Sequence, residues 1–281
     1  MILAINYAND KYKVSQKYNS KTALRNGADK VVEYSPSSID GLFRKENEEI
    51  MSAIRGDGYW LWKPYIILDA LDKVKQGDYV IYADSGSAYV NNIKKLIASL
   101  ELSKQDIMIF SLSKKEKYYS KRDAFVLLDC DFPEYYESPQ RIGTYILLKK
   151  NSNSVAFVEE WLKYSQDKRI LTNDDNVMGL DNYSGFIENR HDQTVLSLLS
   201  KKHNLMPFRD PSQYGFEEGY SEVVGEDVIK RSSYPQIFDS HRLPTCSHFY
   251  QLTYRKWYRW FNPQVSPLFF LYRRVKAFRI K

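Results

Sequence analysis

Residues 79–87 read Tyr79-Val80-Ile81-Tyr82-Ala83-Asp84-Ser85-Gly86-Ser87. Five apolar and aromatic residues end abruptly in an acid followed by three small residues. Bounded by the Gly77-Asp78 turn, the run reads as a buried β-strand. A carboxylate just past the carboxyl end of such a strand sits at the sheet edge where open α/β domains bind their ligands. The small residues after it let a diphosphate approach the backbone. One carboxylate, together with phosphate oxygens and waters, holds Mg²⁺ or Mn²⁺. The plainer account of the same residues is a turn, with Asp84 capping the backbone that follows.

The flanking sequence supplies the fold class. Upstream, Ile2–Tyr7 reads as a buried strand and Asp10–Arg25 as a helix stopped near Gly27. Lys30–Tyr34 is a second strand, ended by Ser35-Pro36. Ser38–Arg55 is expected to be one helix with Ile39, Leu42, Phe43, Ile50 and Ile54 facing inward. A turn with exposed-looking aromatics follows over Gly56–Pro64, and Pro64 suits the first position of a helix running to about Val74. Downstream, strands are expected near Ile107–Phe110 and Tyr145–Lys149, and helices over Ser154–Tyr164 and Asp192–Lys202. Alternating strands and helices predict an α/β domain with a largely parallel sheet. No internal repeat or linker interrupts it, so residues 1–253 are expected to be one domain and residues 254–281 an extension.

The chain has 281 residues, 43% hydrophobic and 27% charged, which supports a sizeable core and excludes disorder. Its 23 Tyr, 14 Phe and 5 Trp offer aromatic surface of the kind that meets sugars and nucleobases, although Tyr also packs well in cores. Cys130 and Cys246 make neither a disulfide framework nor a zinc pattern. The net charge is +6, yet Tyr254–Lys281 carries eight Lys or Arg and no acid, so residues 1–253 are at −2. A near-neutral body argues against nucleic acid as a partner. The apolar start Met1–Ile5 is too short for a signal peptide, and no run reaches the about 20 apolar residues of a membrane span.

Further motifs accompany the strand-end acid in order: Asn19-Ser20-Lys21-Thr22, Tyr34-Ser35-Pro36, Gly58-Tyr59-Trp60-Leu61-Trp62-Lys63-Pro64-Tyr65, Tyr82-Ala83-Asp84-Ser85-Gly86, Lys121-Arg122-Asp123, Arg190-His191-Asp192-Gln193 and His241-Arg242. On these residues, spread over most of 1–245, the chain resembles nucleotide-sugar-dependent glycosyltransferases of the GT-A fold, particularly those of bacterial capsule and surface-polysaccharide synthesis. The resemblance implies a Rossmann-like, largely parallel central sheet flanked by helices. It implies transfer of one sugar from a donor such as a UDP-sugar to an acceptor hydroxyl of a growing, lipid-linked glycan. It also implies a divalent cation, Mn²⁺ or Mg²⁺, at Asp84, with His241 as a further ligand and His248 as its competitor. Such enzymes carry Asp-x-Asp after this strand, and here the third position is Gly86. Either Asp84 alone supplies the carboxylate, or Lys63 and Arg242 neutralise the diphosphate instead.

The resemblance assigns donor contacts to Asp84, Ser85, Lys63, Trp62, Tyr7 and Arg242. Trp60 and Trp62 either stack on a sugar or anchor their turn in the core. Asp192 and Gln193 match the first two positions of an acidic-Gln-acidic motif that faces the reacting sugar, with Thr194 in place of the last acid. Asp192 would deprotonate the acceptor in an inverting enzyme or offset oxocarbenium charge in a retaining one. It is also a good helix N-cap. Arg122 and Asp123 either shape the acceptor side or form a surface ion pair. The competing function on the same scaffold is non-catalytic binding of a nucleotide sugar or carbohydrate. The basic, aromatic segment 254–281 suits the surface of an anionic membrane, and a partner-protein surface or a nucleic-acid arm would look similar. With the reduced cytosolic setting that two cysteines suggest, the membrane reading is expected to place the protein in the cytoplasm, peripheral to the inner face of the cell membrane.

Overall fold

The computed structural model describes residues 1–246. The extension at 254–281 and His248 lie outside the described residues. Within them the strands are β1 (Ile2–Tyr7), β2 (Lys30–Tyr34), β3 (Tyr79–Ala83), β4 (Ser87–Tyr89), β5 (Ile107–Met108), β6 (Phe110–Lys115), β7 (Pro139–Arg141), β8 (Tyr145–Lys149), β9 (Phe208–Arg209) and β10 (Phe238–Ser240).

The central sheet has the order β2-β1-β3-β8-β5. β1 pairs in parallel with β2 and with β3, while β8 runs antiparallel to β3 and β5. Four of the five strands therefore point the same way, the largely parallel, helix-flanked sheet that the sequence implied. The register sets Ile5 beside Tyr82, so the ends of β1 and β3 emerge side by side. β1 is buried along its whole length, whereas the edge strand β2 keeps Lys30 and Glu33 in water.

Strict alternation divides the core between the two faces. Leu3, Ile5, Tyr7, Val80 and Tyr82 face a layer that includes the helices Trp62–Asp72, Ser152–Ser165 and Asp192–Lys202. Ile2, Ala4, Ile81 and Ala83 face the helix Lys94–Ser103 and the end of Lys13–Arg25. Two small sheets lie beside the main one: β10 pairs antiparallel with β4, and β6 joins β7 and β9. The β4–β10 pair brings residues 240–242 back to the end of β3, a closure no local pattern announced.

One expected element is corrected. Residues 38–55 are not one helix but two short ones, Gly41–Glu46 and Glu48–Met51, broken at Asn47 (φ −114°, ψ 28°). Asp40 caps the first by accepting the amides of Leu42 and Phe43. The break resets the helical phase. Ile39 and Ile50 are buried, but Leu42 is 63% and Ile54 96% exposed. The other helices differ from expectation by a few residues at their ends.

Candidate functional site

The loop after β3 is held from below by α-helical polar residues. Asn19, on the helix Lys13–Arg25, donates to the carbonyls of Asp84 (3.3 Å) and Ser87 (2.9 Å) and accepts from Asn6 (2.8 Å). Thr22 accepts the amide of Tyr89 at 3.0 Å. The Asn19–Thr22 motif thus shapes the loop and does not enter the site. Ser85 is buried, and its hydroxyl donates to the carbonyl of Tyr7 at 2.6 Å, tying the ends of β1 and β3 together. Its hydroxyl proton thus braces the fold, while the residue also lines the first of two clefts that open here.

Gly86 explains the departure from Asp-x-Asp. The Arg242 amide donates to its carbonyl at 2.7 Å, and a Cβ at position 86 would stand 3.1 Å from Arg242 Cα. The returning chain crowds position 86, so a side chain there would have to push the Arg242 backbone aside by a few tenths of an ångström, and the same return brings Arg242 to the cleft walls.

Below that loop lies a buried charge chain. Lys63 Nζ sits 2.8 Å from Asp192 Oδ2 and 3.6 Å from Asp84 Oδ1, and it donates to the Gly143 carbonyl at 3.0 Å. Tyr82 donates its hydroxyl to Asp84 Oδ1. Burial opposes the Lys63 ammonium, but Asp192 and Asp84 outweigh it and hold its pKa above the ordinary value. Burial pushes Asp192 up to about 6, with Lys63 pulling the other way and Asp84 reinforcing the rise. Asp192 opens its helix but is not its cap; His191 is. Gln193 spends its amide as a brace, accepting from the Gly143 amide (2.9 Å) and donating to Gln140 (2.8 Å).

A strained turn closes the other side. Gly56, Asp57, Gly58, Tyr59 and Trp60 all have positive φ. Three of them are not glycine, and such residues each cost of order 1–3 kcal/mol. Gly58 is required here: its φ is +90°, and a Cβ would lie 2.8 Å from Met51 Cα. The turn is clamped by aromatic contacts. Trp62 stacks on Tyr7 with ring centroids 3.7 Å apart and donates to the Gly56 carbonyl, while Tyr7 donates its hydroxyl to Asp57 at 3.0 Å. Tyr59 and Trp60 lie 4.7 and 5.5 Å from the His191 ring. His191 Nδ1–H donates to the Leu171 carbonyl, and Nε2 accepts from Arg55 at 2.9 Å. Burial lowers its pKa to about 4, so the imidazole is neutral with a set tautomer. His191 itself is strained, at φ 56° and ψ −119°. These contacts of Tyr59, Trp60, Arg55 and His191 had no signal in the sequence beyond their nearness to the quoted motifs.

Two clefts open onto this constellation. The first, about 590 Å³, is lined by Tyr7, Asn9, Asp57, Trp62, Ser85 and Gly86 among others, with exposed Ile54 on its wall. The second, about 330 Å³, is lined by Arg55, Lys63, Gly143, Glu188, Arg190 and Asp192 among others. They share Trp60, Asp84, Thr144 and Arg242. The structure therefore brings Tyr7, Trp62, Lys63, Asp84, Ser85, Asp192, Gln193 and Arg242 together around the two clefts. His241 lines neither cleft; its Nδ1 accepts the Leu243 amide. Among the described residues, no three His, Cys, Asp or Glu side chains converge to hold a metal ion. The donor set offered by Asp84 and His241 does not make a protein cage for the expected divalent cation.

Lys121, Arg122 and Asp123 lie away from both clefts. Asp123 is buried and accepts the amides of Val177 and Met178, and Arg122 pairs with Asp131 at 2.9 Å and covers the Tyr183 ring. They order residues 173–190, the irregular segment leading to Arg190.

No family model matches the chain, and no curated protein does. Solved structures resemble it in overall fold. These neighbours are glycosyltransferases. They include mouse xyloside xylosyltransferase 1, with a TM-score of 0.45 at 12% identity over 88% of this chain and 98% of that one. The galactosyltransferase LgtC, solved with donor and acceptor sugar analogues, gives 0.43 at 11% identity over 85% and 86%. GlyE of Streptococcus pneumoniae TIGR4 gives 0.40 at 13% identity over 88% and 54%.

Proposed function

We propose that the chain is a glycosyltransferase that takes a nucleotide sugar, UDP-linked, in the first cleft and a glycan hydroxyl in the second. The observation that carries this reading is the buried Asp192–Lys63 pair, with the half-buried Asp84 beside it, at the meeting of two clefts. A two-substrate displacement needs two pockets with one reacting point between them, and a base whose pKa lies near the working pH.

In this reading the diphosphate lies over the Ser85-Gly86 backbone, and Arg242 offsets its charge with a guanidinium suited to phosphate. Asp192 takes the proton of the acceptor hydroxyl as its oxygen bonds to the anomeric carbon. The anomeric C–O bond breaks, and its electron pair leaves on the nucleoside diphosphate. Lys63, anchored on Gly143, keeps Asp192 ionised despite burial and orients it. Asp84 faces both substrates from the shared wall. The acceptor is a growing surface glycan on a lipid carrier, and the basic, aromatic segment 254–281 holds the protein against the anionic inner leaflet.

A screen of nucleotide sugars for transfer and for donor hydrolysis tests the reading. Asp84→Asn and Asp192→Asn are each expected to lower turnover at least about 100-fold, with thermal unfolding showing that the fold persists. Tight binding of donors with no turnover of any would instead make this a binding protein on the same scaffold.

A further inference from the structure

The second cleft gathers opposite charges, with one acid–lysine pair buried and three guanidiniums nearer solvent. Its inner end holds Asp192 and Lys63, both almost wholly buried, with Asp84 beside them. Its outer end carries three guanidiniums, Arg55, Arg190 and Arg242, against a single carboxylate, Glu188. Glu188 is shared between two of them, 3.2 Å from Arg55 and 3.4 Å from Arg190. Counted over its whole lining, four cations against three acids, the cleft is left with one positive charge in excess.

The Arg190 guanidinium is built into place. It lies flat over the Tyr119 ring at 3.8 Å and donates to Gln140, the residue that also receives Gln193. Burial holds its pKa below the ordinary value, and the charge of Arg242 pushes it the same way. Two guanidiniums that repel each other across a cleft, one of them locked by stacking, are arranged for a ligand that brings negative charge.

Resting on the transferase reading, we propose that the acceptor is an acidic sugar: it carries a carboxylate or a phosphate that seats between Arg190 and Arg242, while its reacting hydroxyl points inward to Asp192. Arg242 also faces the donor cleft, so Arg190 is the residue specific to the acceptor. The acids at the inner end turn the anionic group outward, so one orientation of the sugar is selected.

Calorimetric titration of the full chain, with UDP present to engage the donor cleft, tests the proposal. The probes are methyl glucuronide for the carboxylate, glucose 6-phosphate for the phosphate and methyl glucoside as the neutral control. At least one acidic probe is expected to bind about tenfold or more tighter than the control. That margin is expected to shrink at 0.5 M salt, to vanish in Arg190→Gln and to persist in Arg190→Lys. Equal binding of neutral and acidic probes, binding of none of them, or an acidic preference unchanged in Arg190→Gln overturns it. UDP affinity, read in the same titrations, separates the two levels. Retained UDP binding without acidic preference sinks this inference alone, whereas no binding of any nucleotide or nucleotide sugar sinks the transferase reading beneath it.

Discussion

At the residue scale, Asp192 carries opposed demands. Its carboxyl titrates near 6 because burial disfavours the charge. The proposed chemistry needs the ionised form, so turnover is expected to fall as pH drops below about 6, about tenfold per unit. A pH–rate profile reads this limb, and it should be absent from the residual activity of Asp192→Asn. A limb at the same pH in the Asn variant would assign it to another group. For stability the sign reverses. The folded pKa lies above the ordinary 3.8, so the contribution of this group is fully present below that value and lost as pH rises through about 6. The fold thus bears a cost at neutral pH to keep a buried carboxylate charged, the kind of conflict that gathers at functional sites. Nothing in Arg190-His191-Asp192-Gln193 revealed the burial; the Asp192 helix start was legible, and the partner Lys63, 129 positions away, was not.

At the element scale, the left-handed turn 56–60 is the piece most exposed to substitution. It joins the first cleft, through Asp57 and Trp60, to the second, through the packing of Tyr59 and Trp60 on His191. Gly58→Ala forces a Cβ to within 2.8 Å of Met51 Cα at φ +90°. It is expected to cost about 1–3 kcal/mol of stability and to weaken nucleotide-sugar binding beyond what the same destabilisation does elsewhere. Chemical denaturation and donor titration, compared with a destabilising core variant such as Ile67→Val on the neighbouring helix, check the two effects. Equal donor affinity in Gly58→Ala would detach the turn from the site. The sequence signalled a Gly-rich aromatic turn here. It gave no sign that non-glycine residues would be held left-handed, because contacts with distant residues, Tyr7 on Trp62 and Asp57, and His191 on the turn, help hold that backbone.

At the scale of the whole molecule, the site depends on chain segments far apart in sequence. The β4–β10 pairing returns residue 242 to Gly86, and residues 173–190, pinned by Asp123, deliver Arg190. No helix among the described residues is long and apolar enough to cross a membrane. The proposed membrane contact is assigned to segment 254–281 for its eight cations and its aromatics. Replacing Arg255, Lys256 and Arg259 by Gln in the full chain removes about 1 kcal/mol of surface attraction each. Co-sedimentation with vesicles containing phosphatidylserine should fall about 100-fold in partition, with little change on neutral vesicles. Undiminished binding to the anionic vesicles would move the contact elsewhere on the protein.

The sequence by itself determined the alternation of strands and helices, the burial of β1 and β3, and the place of Asp84 at a strand's carboxyl end. These follow from local pattern, since side-chain periodicity and turn residues act over a few positions. Only the tertiary structure decided what the polar residues near that edge do. It tied Ser85 and Gln193 into bonds that also brace the fold, turned Lys63 inward between two acids, and brought Arg242 back against Gly86. Each of those outcomes is a contact between residues tens to more than a hundred positions apart. Burial and charge partners, which set pKa and role, exist only once the chain has folded.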